Sequence, residues 1–158
     1  MSRSAARPSC RRGGLAGGRR PGTRSRVPSV CVRQLREVLP AGPDSVAPLR
    51  RAAVGFAREH GATERQRDDI ALAVSEALTS SVRQAYVGYP APGVIELRAT
   101  RARGSLVIVV CDQGNGFQTR LDSRDVGLGL ALIERVTERL EIQDTTPGML
   151  VRMTFALA

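Results

Sequence analysis

Apolar residues recur along this chain with two periods, and the switching between them predicts its elements. Val46, Leu49, Ala53, Phe56 and Ala57 fall three or four residues apart, the spacing of one helix face. Asp44 or Ser45 can cap that helix, which runs to about His60, and Gly61 stops it. A second helix is predicted from about Glu64 to Val87. Thr63 and Gln66 form a capping-box pair at its start, and Ile70, Val74, Ala77, Leu78, Val82, Ala85 and Tyr86 keep one face apolar. The turn residues Gly88, Pro90, Pro92 and Gly93 introduce two strands, about Val94–Thr100 and Leu106–Cys111, joined through Ala102, Arg103 and Gly104 as a hairpin. A first strand, within Val30–Leu39 and closed by Pro40, precedes the helices. After a glycine-punctuated loop to Gly127 come a third helix, about Leu128 to Arg139, and strands at Leu140–Gln143 and Met149–Leu157. Hairpins argue against a doubly wound parallel sheet. The pattern predicts an α+β two-layer sandwich, with a mixed, mainly antiparallel sheet covered on one face by about three helices.

Composition sets the bounds of that domain. Residues 1–29 are rich in Arg, Gly, Pro and Ser, which cannot bury enough apolar surface to offset chain entropy, so they are expected to form a disordered tail ahead of a folded domain at 30–158. The formal charge of +9 is concentrated there: residues 1–26 hold eight arginines and no acid, leaving sixteen arginines against fifteen acids in the rest. A nearly neutral body with few aromatic residues argues against direct nucleic-acid binding. The twin arginines Arg11–Arg12 and Arg19–Arg20 lack the apolar stretch that an export signal needs. The longest strongly apolar run, Leu106–Cys111, is far short of the roughly 20 residues that span a bilayer. A soluble, cytoplasmic protein is the expectation. Cys10, Cys31 and Cys111 are too scattered, and His60 too isolated, for a disulfide framework or a closely spaced metal site.

Three short segments carry candidate chemistry. Asp112-Gln113-Gly114-Asn115-Gly116 follows an apolar strand, so a carboxylate stands at the mouth of the sheet next to backbone without Cβ atoms. Such a loop suits a flat ring, because the carboxylate accepts from an exocyclic amine and the glycines permit close approach. Gly127-Leu128-Gly129-Leu130 opens the predicted third helix, where free N–H groups suit phosphates. On the second helix, Glu76 and Ser80 are four residues apart and share a face. A Rossmann fingerprint is excluded because Leu132 takes the place of its third glycine, and a Walker loop because the chain has no lysine.

In this order the segments resemble a known family. Ser75 to Tyr86 is similar to the N-box of Bergerat-fold (GHKL) ATPases, especially the bacterial anti-sigma serine/threonine kinases, and Asp112–Gly116 and Gly127–Leu130 resemble their two glycine boxes. The resemblance covers about Val30 to the C-terminus. It implies the Bergerat fold and ATP as cofactor, with Asp112 on adenine and Gly114, Gly116, Gly127, Leu128 and Gly129 shaping the lid and phosphate site. Glu76 would help to activate the attacking hydroxyl. It further implies a kinase that sequesters a sigma factor and phosphorylates a serine on an anti-anti-sigma (STAS-type) partner, and related kinases are commonly homodimers. Three positions depart from the pattern. Ser80 stands where the family usually has an Asn for Mg2+, and a short hydroxyl is a poorer ligand for an ion that demands close octahedral geometry. Gln84 replaces a His, and Met149, after Gly148, replaces a Thr near the nucleotide.

Losing a metal ligand damages phosphoryl transfer more than adenine binding. The alternative reading is therefore a non-catalytic sequestering module that keeps the fold, with or without ATP binding. The ATPase end of a two-component histidine kinase is disfavoured because nothing upstream resembles a dimerisation helix with a phosphoacceptor histidine.

Overall fold

The structure, a computed structural model, describes residues 33–86, 88, 93–114, 124–145 and 147–157. Its elements run β1 (Gln34–Pro40), α1 (Pro43–Glu59), α2 (Glu64–Gln84), β2 (Val94–Ala102), β3 (Ser105–Asp112), α3 (Arg124–Val136), β4 (Arg139–Asp144) and β5 (Met149–Ala156). The five strands form one sheet in the order β1-β2-β3-β5-β4, so β3 is central. All four pairings are antiparallel, where the sequence pattern predicted a mixed, mainly antiparallel sheet; with every strand joined to its neighbour in this way, no parallel pair is present among the described residues.

Alternation decides which face of the sheet is covered. On β3, Leu106, Ile108, Val110 and Asp112 are buried while the residues between them are half-buried. Ile95, Leu97 and Ala99 of β2 and Val151, Met153 and Phe155 of β5 continue that inner face. It packs in a single core with Leu49, Ala53 and Phe56 of α1, Ile70, Val74 and Leu78 of α2, and Ile133 of α3. The opposite face carries ion pairs instead: Arg36 and Arg98 both reach Glu96, at 2.6 and 2.5 Å, and Arg139 and Arg152 reach Glu141, at 2.6 and 3.5 Å.

Local chemistry explains most boundaries. The capping box of α2 is present, with Gln66 N–H donating to Thr63 Oγ1 (3.3 Å) and Thr63 N–H donating to Gln66 Oε1 (2.8 Å). Gln66 Nε2 also donates to the carbonyl of Ala156 (2.7 Å), which ties the start of α2 to the end of β5. The β2–β3 hairpin turns at Arg103 and Gly104, with φ of 29° and 83°, the two positive values that match the twist of the strands it joins. Pro40 belongs to β1 as its last residue, a position on an edge strand where a missing N–H is tolerated. The expected beginning of that strand, residues 30–32, lies outside the described residues.

Two expectations need correction. Helix α1 is capped by Gly42, without a side-chain bond, and not by Asp44 or Ser45; Pro43, whose φ is preset and whose missing N–H would be unpaired anyway, begins it. Helix α3 starts at Arg124, four residues before Leu128, and ends at Val136. Gly127 and Gly129 lie within the helix and do not open it. Arg139 instead enters β4, paired with Thr154, after Glu138 N–H has already bonded to the Thr154 carbonyl at 2.8 Å.

Candidate functional site

The inner face of β3 is apolar up to its last residue, and there the pattern fails. Asp112 occupies the next inward position at the end of the central strand, with 3% of its surface exposed. Ser81 of α2, 1% exposed, donates from Oγ to Asp112 Oδ2 at 2.9 Å, and the N–H of Gly114 donates to Oδ1 at 3.1 Å. Leaving a buried acceptor without its donor costs roughly 1–3 kcal/mol, so each bond matters to a carboxylate placed there.

Close backbone approaches build the surroundings. A Cβ on Gly114 would stand 2.0 Å from the carbonyl oxygen of Ala85, so only glycine lets the segment after Asp112 lie against the end of α2. From the other side, Gly148, with φ of 101°, presses the β4–β5 turn on the carbonyl of Asp112. Tyr86 completes this corner. Its hydroxyl donates to the carbonyl of Val94 (2.6 Å) and accepts from the N–H of Gln113 (3.0 Å), joining α2, β2 and the segment after β3. Met149 is the strand partner of Asp112 and is buried on the same inner face, so the position read as replacing a Thr does sit beside the carboxylate.

Glu76 lies nearer the start of α2, half-buried, with Ser80 half-buried one turn later. A Cβ on Gly129 would be 3.1 Å from Glu76 Oε2, so this glycine of α3 is set against the Glu76 carboxylate. The structure thus brings together Asp112 with Gly114, and Glu76 with Gly129. Gly127 is exposed with no neighbour where a Cβ would be, and Leu128 is 74% exposed. Gly116 lies outside the described residues. The N–H groups a helix leaves unpaired are those of its cap and first three residues, and α3 begins at Arg124; Gly127 and Gly129 are therefore past them, contrary to the expectation that they offer free donors to a phosphate.

Ser81, Tyr86 and Gly148 also lie against Asp112 or the residue after it, and sequence reasoning named no site role for them. Ser81 had a signal: it falls three and four residues after Leu78 and Ala77, in phase with the buried face of α2. The neutral total of the body also concealed a local charge, since Arg50, Arg51 and Arg58 of α1 and Arg67 of α2 line one groove with Val54, Gly55 and Ala71. Cys111 points to the opposite face of β3 from Asp112 as a free thiol, pushed up from its ordinary pKa chiefly by burial. Among the described residues no group of three or more His, Cys, Asp or Glu side chains is arranged to hold a metal ion. None of the described helices is long and apolar enough to cross a membrane.

The fold is an open antiparallel sheet with one helical layer, and a hydrogen-bonded carboxylate ends its central strand. The chain belongs to the histidine kinase-like ATPase domain family, whose model matches residues 39–155. It is 30% identical over 132 residues to the serine-protein kinase RsbW of Bacillus pumilus (strain SAFR-032), covering 73% of this chain and 81% of the relative. To the anti-sigma F factor of Caldanaerobacter subterraneus subsp. tengcongensis it is 32% identical over 117 residues, 66% of this chain and 80% of the relative. The crystal structure of the RsbU and RsbW domains of a Mycobacterium tuberculosis protein has the same fold, with a TM-score of 0.64 at 24% identity over 79% of this chain and 32% of that one.

Proposed function

We propose that the chain is an ATP-binding, anti-sigma-type serine/threonine protein kinase, which sequesters a sigma factor and phosphorylates a serine on an anti-anti-sigma (STAS-type) partner. The observation that carries this reading is the buried Asp112 carboxylate at the end of the central strand, held by Ser81 and Gly114. A carboxylate has about four lone-pair sites, and those not taken up by neighbouring donors accept from the exocyclic amine of adenine. Relatives named as a serine-protein kinase and an anti-sigma factor support the choice of partners. A cytoplasmic location and a homodimer belong to the same reading.

In this reading α2 serves both ends of the nucleotide. Its later turn holds Asp112 for the base, and Glu76, set against Gly129, helps to activate the attacking serine hydroxyl. Gly129 contributes room and no donor. Mg2+ keeps several waters and is held through one or two carboxylates plus substrate phosphates. The Ser80 hydroxyl, one turn from Glu76, would be the protein's ligand to an ion that arrives on ATP, a weaker one than an asparagine and far short of an all-protein cage. When bound, the ion supplies neutralisation of charge on the phosphates.

The reading is tested by calorimetric titration of the purified chain with ATP, with and without Mg2+, beside Asp112→Asn. Tight binding that the variant loses is expected, and absence of binding by the native chain in both conditions would sink it. Ser80 favours a second reading, a sequestering module that binds ATP without transferring phosphate. Native ATP binding without phosphotransfer to a partner it captures would select that one.

A further inference from the structure

Two core positions on two different elements carry polar residues, and they face each other. Inward positions on β3 run Leu106, Ile108, Val110 and then Asp112; buried positions on α2 run Ala77, Leu78 and then Ser81. Packing alone would be met at Ser81 by alanine, the residue found at the buried positions Ala73, Ala77 and Ala85 of the same segment. The hydroxyl is therefore not required to fill space.

A buried helix serine has another way to satisfy its hydroxyl. Ser75, six residues earlier, donates to the carbonyl of Ala71 at 2.6 Å, and Thr137 just after α3 donates to Ile133 at 2.9 Å, each four residues back along the chain. Ser81 instead crosses to the sheet and bonds Asp112 Oδ2, while Gly114 N–H bonds Oδ1. The terminal torsion of an aspartate is broad and roughly two-fold, so a donor on each oxygen holds the carboxylate plane more firmly than donors on one. Ser81 supplies the donor from α2 on Oδ2.

We infer that Ser81 is a positioning residue for base recognition, holding the Asp112 carboxylate in the plane from which it accepts an exocyclic amine. The inference rests on the reading of Asp112 as the base acceptor. Ser81 acts through Asp112 and does not itself touch the nucleotide. Its effect is consequently on the choice of base: a purine with an amine at the recognised position gains from a fixed carboxylate, whereas one with a carbonyl there offers no donor to it.

The test is calorimetric titration of the full chain, Ser81→Ala and Asp112→Asn with ATP and with inosine triphosphate, at fixed Mg2+ and with circular dichroism of each protein. Native protein should prefer ATP. Ser81→Ala should weaken ATP binding by about tenfold, the upper range for one net hydrogen bond, with inosine triphosphate changed by less than about twofold. Equal weakening of both nucleotides would assign Ser81 to the fold, and no change in either would remove it from the site; each overturns the inference. If Asp112→Asn leaves the preference for ATP intact, the base-acceptor reading itself fails. If Asp112→Asn erases the preference and Ser81→Ala does not, only the role of Ser81 is lost.

Discussion

A Cβ placed on Gly148 would stand 1.9 Å from the carbonyl oxygen of Asp112, so the turn between β4 and β5 rests directly on the end of the central strand. Its φ of 101° is one that side chains of L-residues rarely adopt. Gly148→Ala therefore meets both a backbone clash and backbone strain. We expect a loss of about 3 kcal/mol, read as a melting temperature lower by roughly 10 °C in a thermal unfolding scan. An unchanged melting temperature would show that the turn lifts away from Asp112 at little cost.

Asp112→Asn replaces one acceptor oxygen by a donor amide without changing shape. ATP affinity should fall on the order of 100-fold, the effect of losing a hydrogen bond to a charged group, while the unfolding midpoint moves far less than for Gly148→Ala. Calorimetry beside a melting curve separates the two effects. Retained affinity would move the base site elsewhere.

In the proposed reading, position 80 sets how much chemistry follows binding. Ser80 lies one turn from Glu76, and an asparagine there extends an amide oxygen further than the serine hydroxyl reaches. Ser80→Asn is expected to raise Mg2+-dependent phosphotransfer to the anti-anti-sigma partner by about tenfold, with Glu76→Gln abolishing it. Radiolabelled transfer from ATP measures both. A native rate that asparagine does not improve would mean that the hydroxyl is already sufficient.

The outer face of the sheet gives a prediction in acid. Hydrogen bonds from Arg98 and then Arg36 lower the pKa of Glu96 from 4.5 to about 2. A folded-state value below the unfolded one adds stability that is complete above the unfolded value and lost as pH falls through the folded value. That loss spans roughly pH 4.5 to 2. Glu96→Gln should therefore be less stable than the native chain near neutrality, with the gap in melting temperature closing over this interval. Both arginines are more than half exposed, so added salt should narrow the gap at every pH.

Much of this fold can be read in one dimension because its signals are local. Thr63 with Gln66 announces α2, and Arg103-Gly104 announces the hairpin, since each motif satisfies its own backbone within a few residues. The order β1-β2-β3-β5-β4 is not local, and no spacing in the sequence specifies which strand lies beside β3. The start of α3 was hidden for another reason: Gly127 and Gly129 look like a helix opening, yet the helix carries them inside, and the contact of Gly129 with Glu76 exists only in three dimensions. At the site, Glu76, Asp112 and Gly114 stood out by motif. Ser81 did not, because a serine reads as solvent-facing until a partner on another element makes its burial affordable.

Tyr86 adds something of a different kind. The chain has no tryptophan and two tyrosines, and the phenol of Tyr86 is hydrogen-bonded to the N–H of Gln113, the residue that follows Asp112. A displacement of that backbone would move a hydrogen-bond partner of an ultraviolet chromophore. Native tyrosine emission is therefore expected to serve as an optical gauge beside the carboxylate, reporting on this corner without a dye or a label.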